Sequence, residues 1–549
     1  MRPSSGRAAL GLLAALTFAG DLACSTPGAD YPDSPTPVPA AEGVLEATSR
    51  STLDATIQAI LQRPVFQGAH WGMKFQLLGA NEPMYAMNPA ELFLVGSAFK
   101  VFVAGTALAT LGEDYRFRTR VYRTGPVVKG ILRGNLVLVA GGDLLLGGRL
   151  QPDGSLAFPD PDHSYGMAEG AAPAPGDPLR VIREIAAQVA AQGIRRIGGR
   201  VLVDASMFRE GKADIAQGGI SVPVSPMMIN DNIIDVTVAP GQHLGAPGLL
   251  RTSPQTAYLH IVNEVTTIAP GGSIPRPLRF TNDVANPDGT HTVHLTGDIL
   301  LGGKSSFQPY YVPGPVRFAE MAFAEALRDE GVRVHADPSV PTDLGALASF
   351  ASARHLVAEH VAPALADEMK GMLKVSSNIH TAYFPYLIGA LAGHDEENPE
   401  AAYDVLRGRL FEKAGLEPNP PGARDLRYTP DFFVTFLSYL ARQPYLPTFR
   451  QALPILGRDG SLTNVQVSSP VAGHVYAKTG TAALHVASNP MAAKALAGYI
   501  QLPDGRAIAF AEFVRIPVSS LEAAISVSKV AGEALGEIAT AVYLEASRN

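Results

Sequence analysis

Ser97-Ala98-Phe99-Lys100-Val101-Phe102-Val103-Ala104 sets a hydroxyl and an amine three residues apart at the head of an apolar run. On a helix that spacing puts both side chains on one face, about one turn apart. A serine hydroxyl is a poor nucleophile until a base takes its proton. A lysine can act as that base only if burial and a nearby cation lower its pKa. Val95, Phe99 and Phe102 supply apolar surroundings. Ser97 falls in the first helical turn, where free backbone N–H groups and the helix dipole favour developing negative charge. Taken alone, the pair fits a capping serine and a surface lysine equally well. Ser526-Val527-Ser528-Lys529 repeats the same spacing near the C-terminus with nothing downstream to complete it.

Two further motifs follow the first in order, Ser376-Ser377-Asn378 and Lys478-Thr479-Gly480. Ser376 can relay a proton between the base and a leaving amine. Asn378 can hold Lys100 and bond a substrate amide. Lys478 can be the cation that lowers the pKa of Lys100, and with Thr479 it can bind a carboxylate on a peptide lying along its strand. Gly480 permits close backbone approach. The N–H groups of Ser97 and of Thr481, just after Gly480, can form an oxyanion hole. Each motif has a plain reading as well: a helix cap for the second, a turn with an exposed lysine for the third. One reaction accounts for all three together.

Around these motifs the chain changes character twice. Leu53, Ile57, Ile60 and Leu61 predict an amphipathic helix stopped by Pro64, followed by a strand over Trp71–Leu78 and a short partner near Met84–Met87. From 113 to 345 glycine and proline are frequent and strands dominate: Arg118–Tyr122, Asn135–Val139, Val201–Val203, Ile233–Val238, Ala257–Val262 and His291–Leu295. Helices are expected at Pro178–Ala191 and Val316–Asp329, and the Gly/Pro-rich stretch 141–177 reads as a mobile loop. After 355 helices return at Ala364–Leu373, after Ser377, at Glu400–Ala414 and at Thr429–Arg442. A strand at Val475–Thr479, a hairpin across Pro503-Asp504-Gly505 and a long final helix Leu521–Ala546 follow. The expected division is 45–112 and 346–549 as two parts of one helix-and-sheet domain, with 113–345 a β-rich insertion of one or two subdomains.

The bulk properties fit an ordered protein. Of 549 residues 46% are hydrophobic and 17% charged, and the net charge of −7 with no basic block argues against nucleic acid as a partner. Arg2 and Arg7 precede an apolar run, Ala8–Gly20, of signal-peptide length, so residues 1–23 read as an export leader. Cys24, the single cysteine, follows Ala23. It suits a lipoprotein cleavage site and thus a membrane tether, although Asp21 stands where an aliphatic residue is usual; an ordinary cleavage with an incidental cysteine fits too. Residues 24–44, rich in proline, read as a linker. His380, His474 and His485 lie near the motifs, yet no spacing supports zinc, so neither metal nor cofactor is expected. His291 and His294 read as strand-surface residues, and Asp395-Glu396-Glu397 as a solvated loop.

Longer stretches carry a resemblance. Glu113-Asp-Tyr-Arg-Phe-Arg-Thr-Arg-Val-Tyr122, Leu132-Arg-Gly-Asn-Leu-Val-Leu-Val-Ala-Gly-Gly-Asp143, Val201-Leu-Val-Asp-Ala-Ser-Met-Phe208, Lys374-Val-Ser-Ser-Asn378 and Leu453-Pro-Ile-Leu-Gly-Arg-Asp-Gly-Ser-Leu462 are similar to one group. This is the penicillin-binding D-alanyl-D-alanine carboxypeptidases/endopeptidases of peptidase family S13, and the resemblance covers about residues 50–540. It implies an α/β (α+β) fold: a split β-lactamase/transpeptidase-like domain, with an antiparallel sheet and flanking helices, interrupted by inserted domains. The 275 residues between Lys100 and Ser376 suit such an insertion. It also implies catalysis by Ser97, Lys100, Ser376, Asn378 and Lys478, substrate binding by Thr479, Gly480 and Thr481, and a substrate-proximal aspartate at Asp204. The implied partners are peptidoglycan stem peptides and β-lactam antibiotics, and the implied location is the periplasm or cell envelope.

Three departures from the family pattern bear on the cleft. Asn419-Pro-Pro-Gly-Ala-Arg-Asp425 replaces an Asp-Gly-Ser-Gly-Leu-Ser-type segment, Val95-Gly96 replaces Ala or Pro-Ala, and Ala482–Lys494 reads as an extra loop carrying His485, Asn489 and Met491. They keep two alternatives open: a β-lactamase-like or esterase hydrolase, and a non-catalytic cell-wall binding protein.

Overall fold

Five strands make the central sheet of the computed structural model, which describes residues 47–548 except 167, 169, 216–219, 272–273, 335–354 and 487–488. The strands are β1 (His70–Leu77), β2 (Tyr85–Met87), β3 (Val475–Val486), β4 (Asn489–Gln501) and β5 (Ala507–Pro517), in spatial order β2-β1-β5-β4-β3 with every neighbour antiparallel. The expected leader, linker and Cys24 lie outside the described residues. No described helix is long and apolar enough to cross a membrane.

Alternation along β5 explains why the sheet is covered on both faces. Ile508, Phe510, Val514 and Ile516 point into one core, shared with α1 (Ala47–Leu61) and the final helix, Leu521–Ala546. Ala509, Ala511 and Phe513 point into the other, shared with α2 (Lys100–Leu111) and the helices after the insertion. Those are α3 (Leu365–Leu373), α4 (Asn378–Leu391), α5 (Pro399–Lys413) and α6 (Pro430–Leu440); the final helix is α7. The period-2 pattern thus feeds two apolar layers. Glu512 breaks it. It is fully buried among the α1/α7 residues with no hydrogen-bond partner among the described residues, and burial raises its pKa well above the usual carboxylate range.

The inserted region has its own core, built around the helices Arg180–Ala191 and Pro315–Asp329. Its strands form several small sheets. One orders Leu356–Val361, Arg118–Arg123, Leu136–Val139 and Val201–Asp204. Leu356–Val361, from the segment 346–549, pairs antiparallel with Arg118–Arg123, from the segment 113–345.

Two loop expectations need correction. Within the stretch 141–177, residues 141–150 are buried, as are Asp162 and His163, and His163–Tyr165 forms a short 3-10 turn. The supposed extra loop 482–494 is mostly paired strand. β3 and β4 extend as one long hairpin, with Ala482 opposite Ala493 and Val486 opposite Asn489. The ladder continues past the motif, and the backbone of His485, Asn489 and Met491 belongs to it.

Candidate active site

Ser97 lies in a 3-10 turn, Gly96–Phe99, that leads straight into α2. Two glycines bring this turn against the edge strand β3. Gly96 has φ +48°, and a Cβ there would sit 2.8 Å from the Thr481 carbonyl oxygen and 3.0 Å from its nitrogen. A Cβ on Gly480 would lie 1.9 Å from the Val95 carbonyl oxygen. Gly96 in place of alanine is therefore a steric requirement: a left-handed residue pressed on a strand backbone. The substituted stretch 419–425 leads into Arg427–Tyr428, which pairs with Phe93–Leu94 just ahead of the serine, and Val95 N–H donates to the Leu426 carbonyl.

Lys100 is completely buried. Its Nζ donates to Asn378 Oδ1 at 2.7 Å, to the Ser376 carbonyl at 2.5 Å and to Ser376 Oγ at 3.2 Å. Lys478, also fully buried, donates to the same Ser376 Oγ at 2.9 Å and to the Thr479 carbonyl at 2.9 Å. One hydroxyl is thus shared by two amines. Burial and the field of Lys478 hold Lys100 well below the ordinary lysine range, against the opposing pull of Asp162. Burial and Lys494 bring Lys478 down to about 7, with Asp160 opposing. A neutral amine at Lys100 is what a base beside Ser97 requires. Ser97 itself is half-buried, and its Oγ makes no hydrogen bond among the described residues.

Ser376 occupies the left-handed region at φ +61°. Its carbonyl also accepts from Tyr165 OH at 2.6 Å. Ser377 Oγ caps α4 by accepting from His380 N–H, as the helix-cap reading of this motif expects.

Behind the motif lies a buried charge network that joins the inserted region to α4. Asp231 accepts from Arg149 at 2.5 Å, from His163 Nε2 at 2.8 Å and from His380 Nε2 at 2.9 Å. Arg149 also pairs with Asp162 at 2.5 Å, and His163 Nδ1 with Asp235 at 2.9 Å. Burial works against the His163 imidazolium, but Asp235 and Asp231 outweigh it and push its pKa up to about 10. Asp231 is held well below its usual value by Arg149, His380 and His163 despite its burial. Asp162, His163 and Asp231 are close enough to share a metal ion. The Arg149 guanidinium already neutralises both carboxylates from within that cluster. Asp231 is the middle of three consecutive left-handed residues, Asn230, Asp231 and Asn232.

The structure therefore brings Ser97, Lys100, Ser376, Asn378, Lys478, Thr479, Gly480 and Thr481 to one place. Asp204 shares no hydrogen bond with them among the described residues: it ends the strand Val201–Asp204, and its carboxylate accepts from Ser206 N–H at 2.9 Å. The Ser526/Lys529 repeat is exposed on α7. Four neighbours of the site escaped the sequence reading: Tyr165, Asp160, Ser461 (2.7 Å from Thr479 Oγ1) and Lys494. Only Ser461 carried a signal, since it lies in the conspicuous segment 453–462.

An antiparallel sheet between helical layers, with a serine–lysine turn pressed on its edge strand, is the fold of the β-lactamase-like transpeptidases. Within that class the chain belongs to the D-Ala-D-Ala carboxypeptidase 3 (S13) family of serine peptidases, whose family model matches residues 53–525. It is 26% identical over 472 residues to a D-alanyl-D-alanine carboxypeptidase of Actinomadura sp. (strain R39), covering 82% of this chain and 78% of the relative. It is 21% identical over 485 residues to D-alanyl-D-alanine carboxypeptidase DacB of Haemophilus influenzae, covering 82% and 86%. The crystal structure of penicillin binding protein 4 (dacB) from Haemophilus influenzae matches with a TM-score of 0.64 at 20% identity, over 89% of this chain and 99% of that one.

Proposed function

We propose that the protein is a serine-type D-Ala-D-Ala carboxypeptidase, with endopeptidase action on cross-linked stem peptides, working in the cell envelope through an acyl-enzyme on Ser97. The observation that carries this reading is the single Ser376 hydroxyl shared by Lys478 and Lys100, the lysine three residues after Ser97. Ser97 Oγ attacks the penultimate D-Ala carbonyl carbon and its proton passes to Lys100 Nζ. The N–H groups of Ser97 and Thr481 receive the oxyanion. As the C–N bond breaks, Ser376 Oγ hands a proton, replaced from the lysine side, to the departing amine. Water then cleaves the ester by the reverse use of the same groups. β-Lactams acylate Ser97 in the substrate's place. Residues 1–23 direct export, and Cys24 tethers the mature chain.

Incubation with purified pentapeptide muropeptides and cross-linked dimers is expected to release D-Ala and to split the dimers, read by mass spectrometry. Absence of both products from enzyme whose Ser97 is labelled by penicillin overturns the reading.

The close approach at Gly480 gives a second expectation. Gly480→Ala must push β3 away from the nucleophile turn, because its methyl meets the Val95 carbonyl at 1.9 Å. A shift near 1 Å between reacting groups costs on the order of 100-fold in rate. Penicillin acylation of Gly480→Ala should slow by that factor, and acylation at the wild-type rate would show that the contact does not set the geometry.

A further inference from the structure

Lys494 is a cation of the cleft that the three motifs leave unassigned. It lies on β4 opposite Thr481, and its Nζ donates to Thr481 Oγ1 at 2.7 Å. That is its one protein hydrogen bond among the described residues, and it forms no ion pair among them. An ammonium has three donors, so two are unused. Asp160 is near enough for its charge to act on both Lys494 and Lys478, which puts the two ammonium groups in one neighbourhood.

Strand alternation decides what each lysine does. Lys478 and Gly480 point to one face of β3; Thr479 and Thr481 point to the other, beside Leu496 and Lys494 of β4. Lys478 is committed to Ser376 Oγ and the Thr479 carbonyl. Ser461, Thr479 and Thr481 make a row of hydroxyls, and the Lys494 ammonium stands at its end. Gly532 on α7 makes room for the lysine stem: a Cβ there would lie 3.3 Å from Lys494 Cε. Because Thr481 Oγ1 accepts from Lys494, its own O–H is left to donate outward. A hydroxyl donor beside an ammonium with two free donors is a receptor for a carboxylate.

We infer that Lys494, acting with Thr481, binds the terminal carboxylate of the substrate, so that Lys478 serves proton transfer rather than carboxylate recognition. The inference rests on the reaction proposed for Ser97.

The test compares wild type, Lys494→Met and Lys494→Arg on an N-acylated peptide ending in D-Ala-D-Ala and on the same peptide with a C-terminal amide. A parallel arm measures acylation by benzylpenicillin and by its methyl ester. Lys494→Met is expected to raise KM for the free acid about 30-fold, the range of a charge-assisted contact; because Lys494 also helps to lower the Lys478 pKa, any change in kcat should fall equally on acid and amide. KM for the amide should stay the same, and Lys494→Arg should recover most of the loss. Acylation of Lys494→Met by the penicillin acid should slow more than acylation by its ester. Equal changes in KM for acid and amide, or no change for either, overturn the inference. If wild type cleaves neither peptide, the D-Ala-D-Ala reading fails, and the penicillin pair alone decides the role of Lys494.

Discussion

Lys100→Met is expected to slow penicillin acylation of Ser97 by about 10³- to 10⁴-fold, the scale of losing a positioned general base, while Ser97→Ala abolishes the covalent label. Methionine keeps the length and apolar character of the buried stem and removes the amine alone, so helix α2 should stay in place. The wild-type acylation rate should fall as pH drops, because protonation of Lys100 removes the base. The acid limb should lie well below the ordinary lysine range, where burial and Lys478 have brought the Lys100 pKa. In Lys100→Met that limb should disappear from the residual rate. Stopped-flow acylation across pH checks both statements. A methionine variant with the wild-type limb would assign the titration to another group, and a variant of full activity would exclude Lys100 as the base.

Asp231→Asn should have the second large effect, on stability as well as rate. Asparagine matches the shape and tolerates left-handed backbone, so the change tests charge rather than conformation. It removes the anion that Arg149, His163 and His380 surround. Breaking a buried ion network on one side costs about 3–5 kcal/mol. Scanning calorimetry should show a fall of several degrees in the melting midpoint. Acylation should slow as well, because His380 follows Asn378 by two residues and the same network borders the loop that brings Tyr165 to the Ser376 carbonyl. An unchanged midpoint would mean that the network carries no net stabilisation.

The residues of the candidate site were legible because their spacing is local. Ser97 and Lys100 are fixed by helical spacing, Lys478 and Gly480 by a strand, and the long final helix matched its expected bounds, Leu521–Ala546. What escaped depends on distant partners. Tyr165 and Asp162 sat in a Gly/Pro-rich stretch that looked unstructured, and their order comes from Ser376, Arg149 and Asp231, which no local window contains. Lys494 reads as loop from its neighbours in sequence, since the run 482–494 lacks clean alternation. Its meaning appears only through the register that sets it opposite Thr481. Asp204, carried by resemblance alone, ends a strand and accepts from Ser206 N–H.

Strand β1 lies beside β5, with Leu77 opposite Ile508, partners roughly 430 positions apart in the chain, a contact of very long sequence separation. A chain under synthesis holds Ser97 and Lys100 long before it holds Ser376, Lys478 or the strand that closes the sheet. Until then nothing depresses the lysine pKa, and the serine is an ordinary alcohol. On the proposed reaction, reactivity at Ser97 is a report of completion: a covalent label there would count molecules in which β1 and β5 have met.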